Sequence, residues 1–485
     1  MTFYKPLPGV VGDVIPYYYD GVFHIFYLRS YRDIDGYGPG GPWHHVSTTD
    51  FLTFTDHGEA IVKGAELEQD SGPATGSVFT DDDGLHHIFY TGINAHFRND
   101  DQREQVILHA TSPDLLTWTK DPDFANESDE TRYERHDWRD PFVYRHPQTD
   151  KPMMLVAART KAGDPSTRGC TAILEGNRDL TEWTDVGAYA PGRYHGHECP
   201  DLFQIGGWWY LVFSEYTTST VTRYVMSRTP DGPWVAPPDN QFDNRAFYAA
   251  KSFADDLGRR YMLGWNPSKL HDVDEGEWQW GGCLTVHEVT QRTNGTLAVR
   301  LPRSIAHSFD TSGPVARTDL SAAWDTTDGK ITVDATGHRR TTVIGPLPHT
   351  ALLEGELTFS SHGGRAGVLL NVAENGDREA EGGYFLRFDA DLQRVQFGKV
   401  GGYRPWFVDQ MPELDRPLAI HQHEAIHYRI IVDGSAVVAY VNDDVALSAR
   451  MYGRPRRNYG LFADEAAVRF DSLGIRTGGT HTIQT

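Results

Sequence analysis

The chain has 485 residues, 39% apolar and 12% aromatic, too many for one ordinary core, so at least two domains are expected. Lys and Arg number 45 against 67 Asp and Glu, a net charge of −22, which argues against nucleic acid or anionic membrane as partners and favours simple solubility. Cys170, Cys199 and Cys283 are odd in number and widely spaced. They suit neither a disulfide framework nor a Cys-x-x-Cys metal site and are expected to be reduced core residues. The start, Met1-Thr2-Phe3-Tyr4-Lys5-Pro6, carries no apolar signal run, and no 18-residue apolar span occurs. A cytoplasmic protein is expected.

Gly (48), Pro (27) and abundant Thr, Val and Tyr favour short strands and turns over long helices. Residues 11–19 read as a strand, Asp20-Gly21 as a hairpin turn, and residues 24–28 and 43–51 as the strands that follow. The layout recurs at residues 75–79, with a turn at Asp83-Gly84 and a strand over 87–92. A third copy opens at Trp138-Arg139-Asp140-Pro141. A fourth opens at His197-Glu198-Cys199-Pro200-Asp201, where an acid sits just before the apolar run Trp208-Trp209-Tyr210-Leu211-Val212-Phe213. The fifth starts at Tyr248 and ends near Trp280-Gly281-Gly282. Equivalent positions, Asp13, Ser77, Asp140, Glu198 and Ser252, fall 54 to 64 residues apart. Five such units of four short strands predict a five-bladed β-propeller over residues 1–305.

Residues 306–328 are polar and rich in turn formers, as in Ser312-Gly313-Pro314, and read as a linker. Beyond them, alternating strands at residues 350–359, 366–371, 384–388, 428–432, 437–441 and 468–470 predict a β-sandwich over residues 329–485. The expected fold class is therefore all-β, a propeller followed by a sandwich.

In a propeller the first residues of each innermost strand meet at one mouth of a central channel, which would bring Asp13, Asp140 and Glu198 together. Like charges in a low-dielectric pocket repel and raise one another's pKa, a cost with little structural return. Glycoside cleavage does use such a group: one ionised carboxylate beside the anomeric carbon and one acid that repulsion keeps protonated.

The motifs Arg139-Asp140-Pro141 and Glu198-Cys199-Pro200-Asp201, supported by residues 43–50, Thr75-Gly76-Ser77-Val78, Tyr248-Ala249 and Trp280-Gly281-Gly282, give the chain its likeness. It resembles, over nearly its whole length, the retaining fructan-processing enzymes of glycoside hydrolase family 32, the invertase, inulinase and levanase group. The resemblance implies a β-fructofuranosidase-like hydrolase or transferase with no cofactor and no metal. It implies Asp13 as nucleophile, Glu198 as general acid and base, and Asp140 as transition-state stabiliser. It further implies Arg139, Trp43, Ser77, His197 and Tyr248 as substrate-binding residues, the Arg139 fork suiting bidentate contact. The expected partner is a small-molecule carbohydrate, and a homo-oligomer is compatible with the sequence.

The chain departs from the family at the front. The usual Trp-x-Asn-Asp-Pro-Asn-Gly block is Val11-Gly12-Asp13-Val14-Ile15-Pro16 here, and Gln-Tyr-Asn-Pro is replaced by Leu28-Arg29-Ser30-Tyr31. The aspartate survives without its amide and aromatic neighbours, and Arg29, Arg32 and Asp33 are candidates to reach the sugar instead. Two rivals follow: an inverting arabinofuranosidase-type propeller with more widely spaced carboxyls, and a non-catalytic carbohydrate-binding propeller. Gly36-Tyr37-Gly38-Pro39-Gly40-Gly41 formally fits a dinucleotide fingerprint but contains proline and leads into a strand. The pairs His44-His45 and His86-His87 and the His195-Gly196-His197 run lack a ligand constellation for a metal.

Overall fold

Asp20 (φ 47°) and Gly21 (φ 82°) both lie in the left-handed region, the conformation a tight two-residue hairpin requires. They join strand β1 (Val10–Tyr19) to the strand Val22–Ser30 with Tyr19 opposite Val22. The computed structural model describes residues 2–32, 40–99, 102–314, 316, 319–401, 411–453 and 458–484; Asp33 and residues 36–39 of the glycine-rich run lie outside them. Among the described residues the only α-helix is Arg303–Ser308, and nearly all other regular structure is strand. No described helix is long and apolar enough to cross a membrane.

The first half of the chain is a series of antiparallel meanders. β1 leads through Val22–Ser30 and Trp43–Thr48 to Thr53–Ile61. Four more runs open with β2 (Gly72–Thr80), β3 (Tyr133–Arg145), β4 (Glu198–Ile205) and β5 (Tyr248–Ala254). Each opening strand lies against the next, and β5 returns to β1, so the five close a ring. Closure is made by the long strand Trp278–Gln291, which follows β5 and pairs with β1 at Val11 opposite Gly282.

Every one of the five opening strands breaks register, four of them near the start and β3 at mid-strand. The breaks fall between Val11 and Val14, Ala74 and Gly76, Arg139 and Phe142, Glu198 and Asp201, and Tyr248 and Lys251. Three of these bulges hold a non-glycine residue in the left-handed region: Asp140 (φ 58°), Cys199 (φ 51°) and Ala249 (φ 51°). Such residues cost about 1–3 kcal/mol each and persist where the surroundings over-determine them. A bulge bends the strand and re-aims side chains, here toward the middle of the ring.

In the second half, two antiparallel sheets share one core. Leu353, Leu357, Ile430, Val432 and Val437 from one sheet meet Ile344, Val368, Leu370, Leu386 and Phe388 from the other. The 306–328 stretch, expected to be a linker, is packed at both ends. Ala306 and Phe309 join the first core, Thr311–Ser312 pairs with Arg476 and Thr477, and Trp324 enters the second core. The C-terminal strand Thr482–Gln484 returns to run parallel with Thr53–Ile61.

The two halves are joined by buried polar contacts. Asp433 accepts the backbone N–H groups of Thr2 and Phe3 at 2.7 and 3.1 Å. Asp243 is fully buried, 3.1 Å from His287 Nε2, and also accepts the Ser448 hydroxyl at 2.6 Å and its backbone N–H at 2.9 Å. Removing one partner of a buried, fully satisfied pair typically costs ~3–5 kcal/mol. Asp243→Ala should therefore destabilise the protein by that order in denaturant unfolding, because His287 Nε2 and the Ser448 hydroxyl and N–H lose the carboxylate they face.

Candidate active site

The ring of bulges opens onto a cavity of about 690 Å³ lined by Asp13, Arg139, Asp140, Glu198 and Trp280. The three acids come from β1, β3 and β4, far apart in sequence, and the strand irregularities turn them to one place. The bulge that re-aims Glu198 leaves the next residue, Cys199, with its backbone N–H pointing at Asp140 Oδ2, 2.9 Å away. The Cys199 thiol lies 3.8 Å from Asp13 Oδ2. One bulge on β4 thus touches the carboxylates carried by β1 and β3.

Each carboxylate has its own donors. Asp13 accepts the Thr75 hydroxyl at 2.5 Å and the Trp265 indole N–H at 3.0 Å. Glu198 accepts Arg139 Nη2 at 3.2 Å on one oxygen and the Tyr248 hydroxyl at 2.6 Å on the other. Arg139 also binds Asp137 at 3.1 Å and stands 3.9 Å from Asp140. Burial works against the guanidinium charge, but Glu198, Asp140 and Asp137 outweigh it and hold its pKa above the usual value. The carboxyl of Asp13 is pushed up to about 7, by burial first and then by the charges of Asp140 and Glu198, against the pull of Thr75 and Trp265. Burial, with the charges of Asp140 and Glu198 added to it, thus favours the protonated form of Asp13 near neutrality.

Of the residues expected to bind substrate, Arg139 lines the cavity and Tyr248 reaches Glu198 with its hydroxyl. Three others are placed elsewhere. Trp43 is fully buried, with its indole N–H committed to the Ala74 carbonyl at 2.9 Å, and packs inside the sheet. Ser77 is two residues past Thr75, buried, and accepts the Val143 N–H at 2.9 Å. His197 immediately precedes β4, and its Nδ1 lies 3.2 Å from the Thr171 hydroxyl. It stacks on Phe213 at 4.0 Å, and burial pushes its pKa down to about 3, so it is a neutral core residue. Arg29 and Arg32 are held by the framework, Arg29 on the Pro8 carbonyl and Arg32 on Gln279, Trp280 and Gly281.

The sequence reading missed three groups. Thr75 and Trp265 grip Asp13, and Lys251 lies buried on β5 with its ammonium donating to the Gly76 carbonyl at 3.0 Å. Burial pushes the Lys251 pKa down, while Cys199, Asp201, Asp140 and Asp13 pull it up. The signal for Lys251 was a lone cation in the apolar opening strand of the fifth unit. Among the described residues no group of three or more His, Cys, Asp or Glu is placed to hold a metal ion.

The raised pKa of Asp13 carries a stability cost with a defined pH window. Below the ordinary value of 3.8 both folded and unfolded chains hold the proton. As pH rises toward about 7 only the unfolded chain releases it, so stability falls, and above about 7 the penalty is complete. Asp13→Asn should therefore raise the melting temperature at pH 8 and leave it nearly unchanged at pH 4, as read by calorimetry.

The profile of the Glycosyl hydrolases family 32 N-terminal domain matches residues 14–299, starting one residue after Asp13. The chain is 25% identical over 483 residues to the sucrose-6-phosphate hydrolase of Escherichia coli, covering 92% of this chain and 87% of that one. It is 22% identical over 501 residues to the levanbiose-producing levanase of Bacillus subtilis (strain 168), covering 95% and 87%. Its fold matches the structure of sucrose-6-phosphate hydrolase from Lactobacillus gasseri with a TM-score of 0.71 at 19% identity, over 98% of this chain and 92% of that one. A cavity floored by three acids from separate strands, within a match that spans more than half of the sequence, gives the assignment: the chain is a glycoside hydrolase and belongs to glycosyl hydrolases family 32.

Proposed function

We propose that this enzyme cleaves, with retention, the β-fructofuranosyl linkage of small fructosides, transferring the fructosyl group to water. The observation that carries this reading is the meeting of Asp13, Asp140 and Glu198 in one cavity, with Arg139 and Tyr248 both on Glu198. The relatives' names, hydrolases of sucrose phosphate and levan, support the substrate class. In this reading the closed ring of opening strands is the centre of a five-bladed propeller over residues 1–305, joined by residues 306–328 to a β-sandwich over 329–485.

In the first step ionised Asp13 attacks the anomeric carbon while Glu198 gives its proton to the departing glycosidic oxygen. The bond to the leaving group breaks as the bond to Asp13 forms, giving a covalent fructosyl ester. Glu198, now ionised, takes a proton from water, whose oxygen attacks the same carbon and frees Asp13. Arg139 and Tyr248 hold the Glu198 carboxyl in place through both steps. Asp140, in a strained backbone conformation fixed by the Thr91 hydroxyl on its N–H at 2.7 Å, holds sugar hydroxyls as charge develops. Attack needs Asp13 ionised and a proton on Glu198, so the singly protonated cluster, with its proton moved from Asp13 to Glu198, is the reactive form, and kcat/KM should fall as pH rises through about 7.

The test is turnover of sucrose, sucrose 6-phosphate, kestose and levanbiose, with the released sugar identified. Asp13→Asn should abolish turnover with the fold intact, and Glu198→Gln should lower kcat by ~10²–10⁴-fold. In methanol the product should be the methyl β-fructofuranoside; inverted product, or an active Asp13→Asn enzyme, overturns the mechanism. Release of arabinose from aryl arabinofuranosides, with no fructoside cleaved, would favour the arabinofuranosidase reading.

A further inference from the structure

Lys251 is a buried cation that the proposed steps do not use. It is 2% exposed and stands behind the acids rather than on the cavity wall. The register break between Tyr248 and Lys251 on β5, with Ala249 in the left-handed region, delivers it to the middle of the ring. Its ammonium donates to the Gly76 carbonyl at 3.0 Å and lies 5.1 Å from the centre of the Phe142 ring. Both contacts are with neutral groups. Burying an ammonium on neutral partners alone is costly, and acids close by are what offset it.

The contacts show which acids those are. Gly76 follows Thr75, whose hydroxyl donates to Asp13 at 2.5 Å, and Phe142 lies two residues past Asp140 on the same strand. The Cys199 thiol, which burial keeps protonated, feels Asp13 and Lys251 alike. Asp201, Asp140 and Asp13 all pull on Lys251. Asp201 has donors of its own, the Ser252 N–H and hydroxyl at 2.8 and 2.6 Å, and Arg260 reaches the same hydroxyl at 2.9 Å. Glu198 is held by Arg139 and Tyr248, with Arg139 also 3.9 Å from Asp140. The cations are thus divided among the acids, and Lys251 is the one on the Asp13 side.

We propose that Lys251 is a positioning residue for charge in this site: its ammonium keeps Asp13 and Asp140 ionised, so that the single proton of the cluster goes to Glu198. The inference rests on the proposed fructosidase reading and deepens it. Asp13 and Glu198 compete for that proton, burial favours leaving it on Asp13, and attack needs it on Glu198. A positive charge on the Asp13 side shifts the competition toward the reactive arrangement. Lys251 touches no reacting atom and acts through this bias alone.

The test is the pH profile of Lys251→Met and Lys251→Gln on the best fructoside of the panel above, read as separate kcat and KM. Loss of the charge should strengthen proton binding at Asp13 by about one pH unit, a tenfold bias. On the acid side of the fall, kcat/KM should then drop about tenfold, through kcat with KM nearly unchanged. The fall itself should move up by about one unit, so that variant and wild-type profiles converge at high pH. Lys251→Arg, which keeps the charge, should restore the wild-type midpoint even where its bulk lowers the rate. A second reading needs no turnover: the gain in melting temperature from Asp13→Asn should keep growing to a pH about one unit higher in the Lys251→Met background. Equal loss of activity at every pH with an unmoved midpoint overturns the inference and leaves the fructosidase reading standing. Failure of both neutral variants to fold likewise assigns the ammonium to the framework. A wild-type enzyme that cleaves no fructoside overturns the fructosidase reading, while the melting comparison still decides the charge bias on Asp13.

Discussion

Three carboxylates sharing one partly buried cavity is the constraint that the rest of the molecule answers to. Burial and mutual repulsion both work against folding there, and together they push the Asp13 carboxyl up to about 7, burial contributing most. The answer is distributed. Arg139 sits between Glu198, Asp140 and Asp137, Lys251 lies buried on the neighbouring strand, and Thr75 and Trp265 each give Asp13 a hydrogen bond. A protein selected only for stability would not assemble this set.

The geometry is reached by one device used five times. Each opening strand of the ring carries a bulge, and three of those bulges hold a strained non-glycine residue. A regular strand would send alternate side chains to opposite faces. The bulge adds a residue without flipping the remainder of the strand, so the mouth of the ring can be lined by acids while the body of each strand keeps its apolar core.

Closure of the ring and construction of the cavity wall are the same event. Gly282 meets Val11, Gly281 and Trp280 are held by Arg32, and the indole lands on Gly12. The second half of the chain braces this arrangement from outside. Asp433 holds the segment leading into β1, Arg450 binds Asn266 next to the closing pair, and Ser448 completes the Asp243–His287 contact. The polar, buried character of these contacts fixes how one body sits on the other more than apolar area alone would.

Much of this was legible in the letters. The spacing of Asp13, Asp140 and Glu198 and the Asp-Gly turns exposed a repeating strand unit, since side-chain period and turn chemistry are local properties. The acids stood out because a carboxylate at the head of an apolar run has few structural uses. Trp43, Ser77 and His197 were expected at the sugar and are buried in the structure. A tryptophan, a serine and a histidine near a motif serve a core as well as a sugar, and only burial and partners separate the two. Thr75 and Trp265 were overlooked because nothing within their own segments marks them, and Lys251 carried only the signal of a lone cation in an apolar strand; the meaning of all three comes from strands 62 to 252 residues away in sequence.

The sequence by itself determined the strand-rich character, the repeat and the three acids, because each follows from residues within one short segment. The tertiary structure alone decided which side chains face the cavity, which carboxyl keeps a proton, and that an indole fills the space beside Asp13. Those depend on bulges, burial and ring closure, which arise only when distant strands are brought against one another.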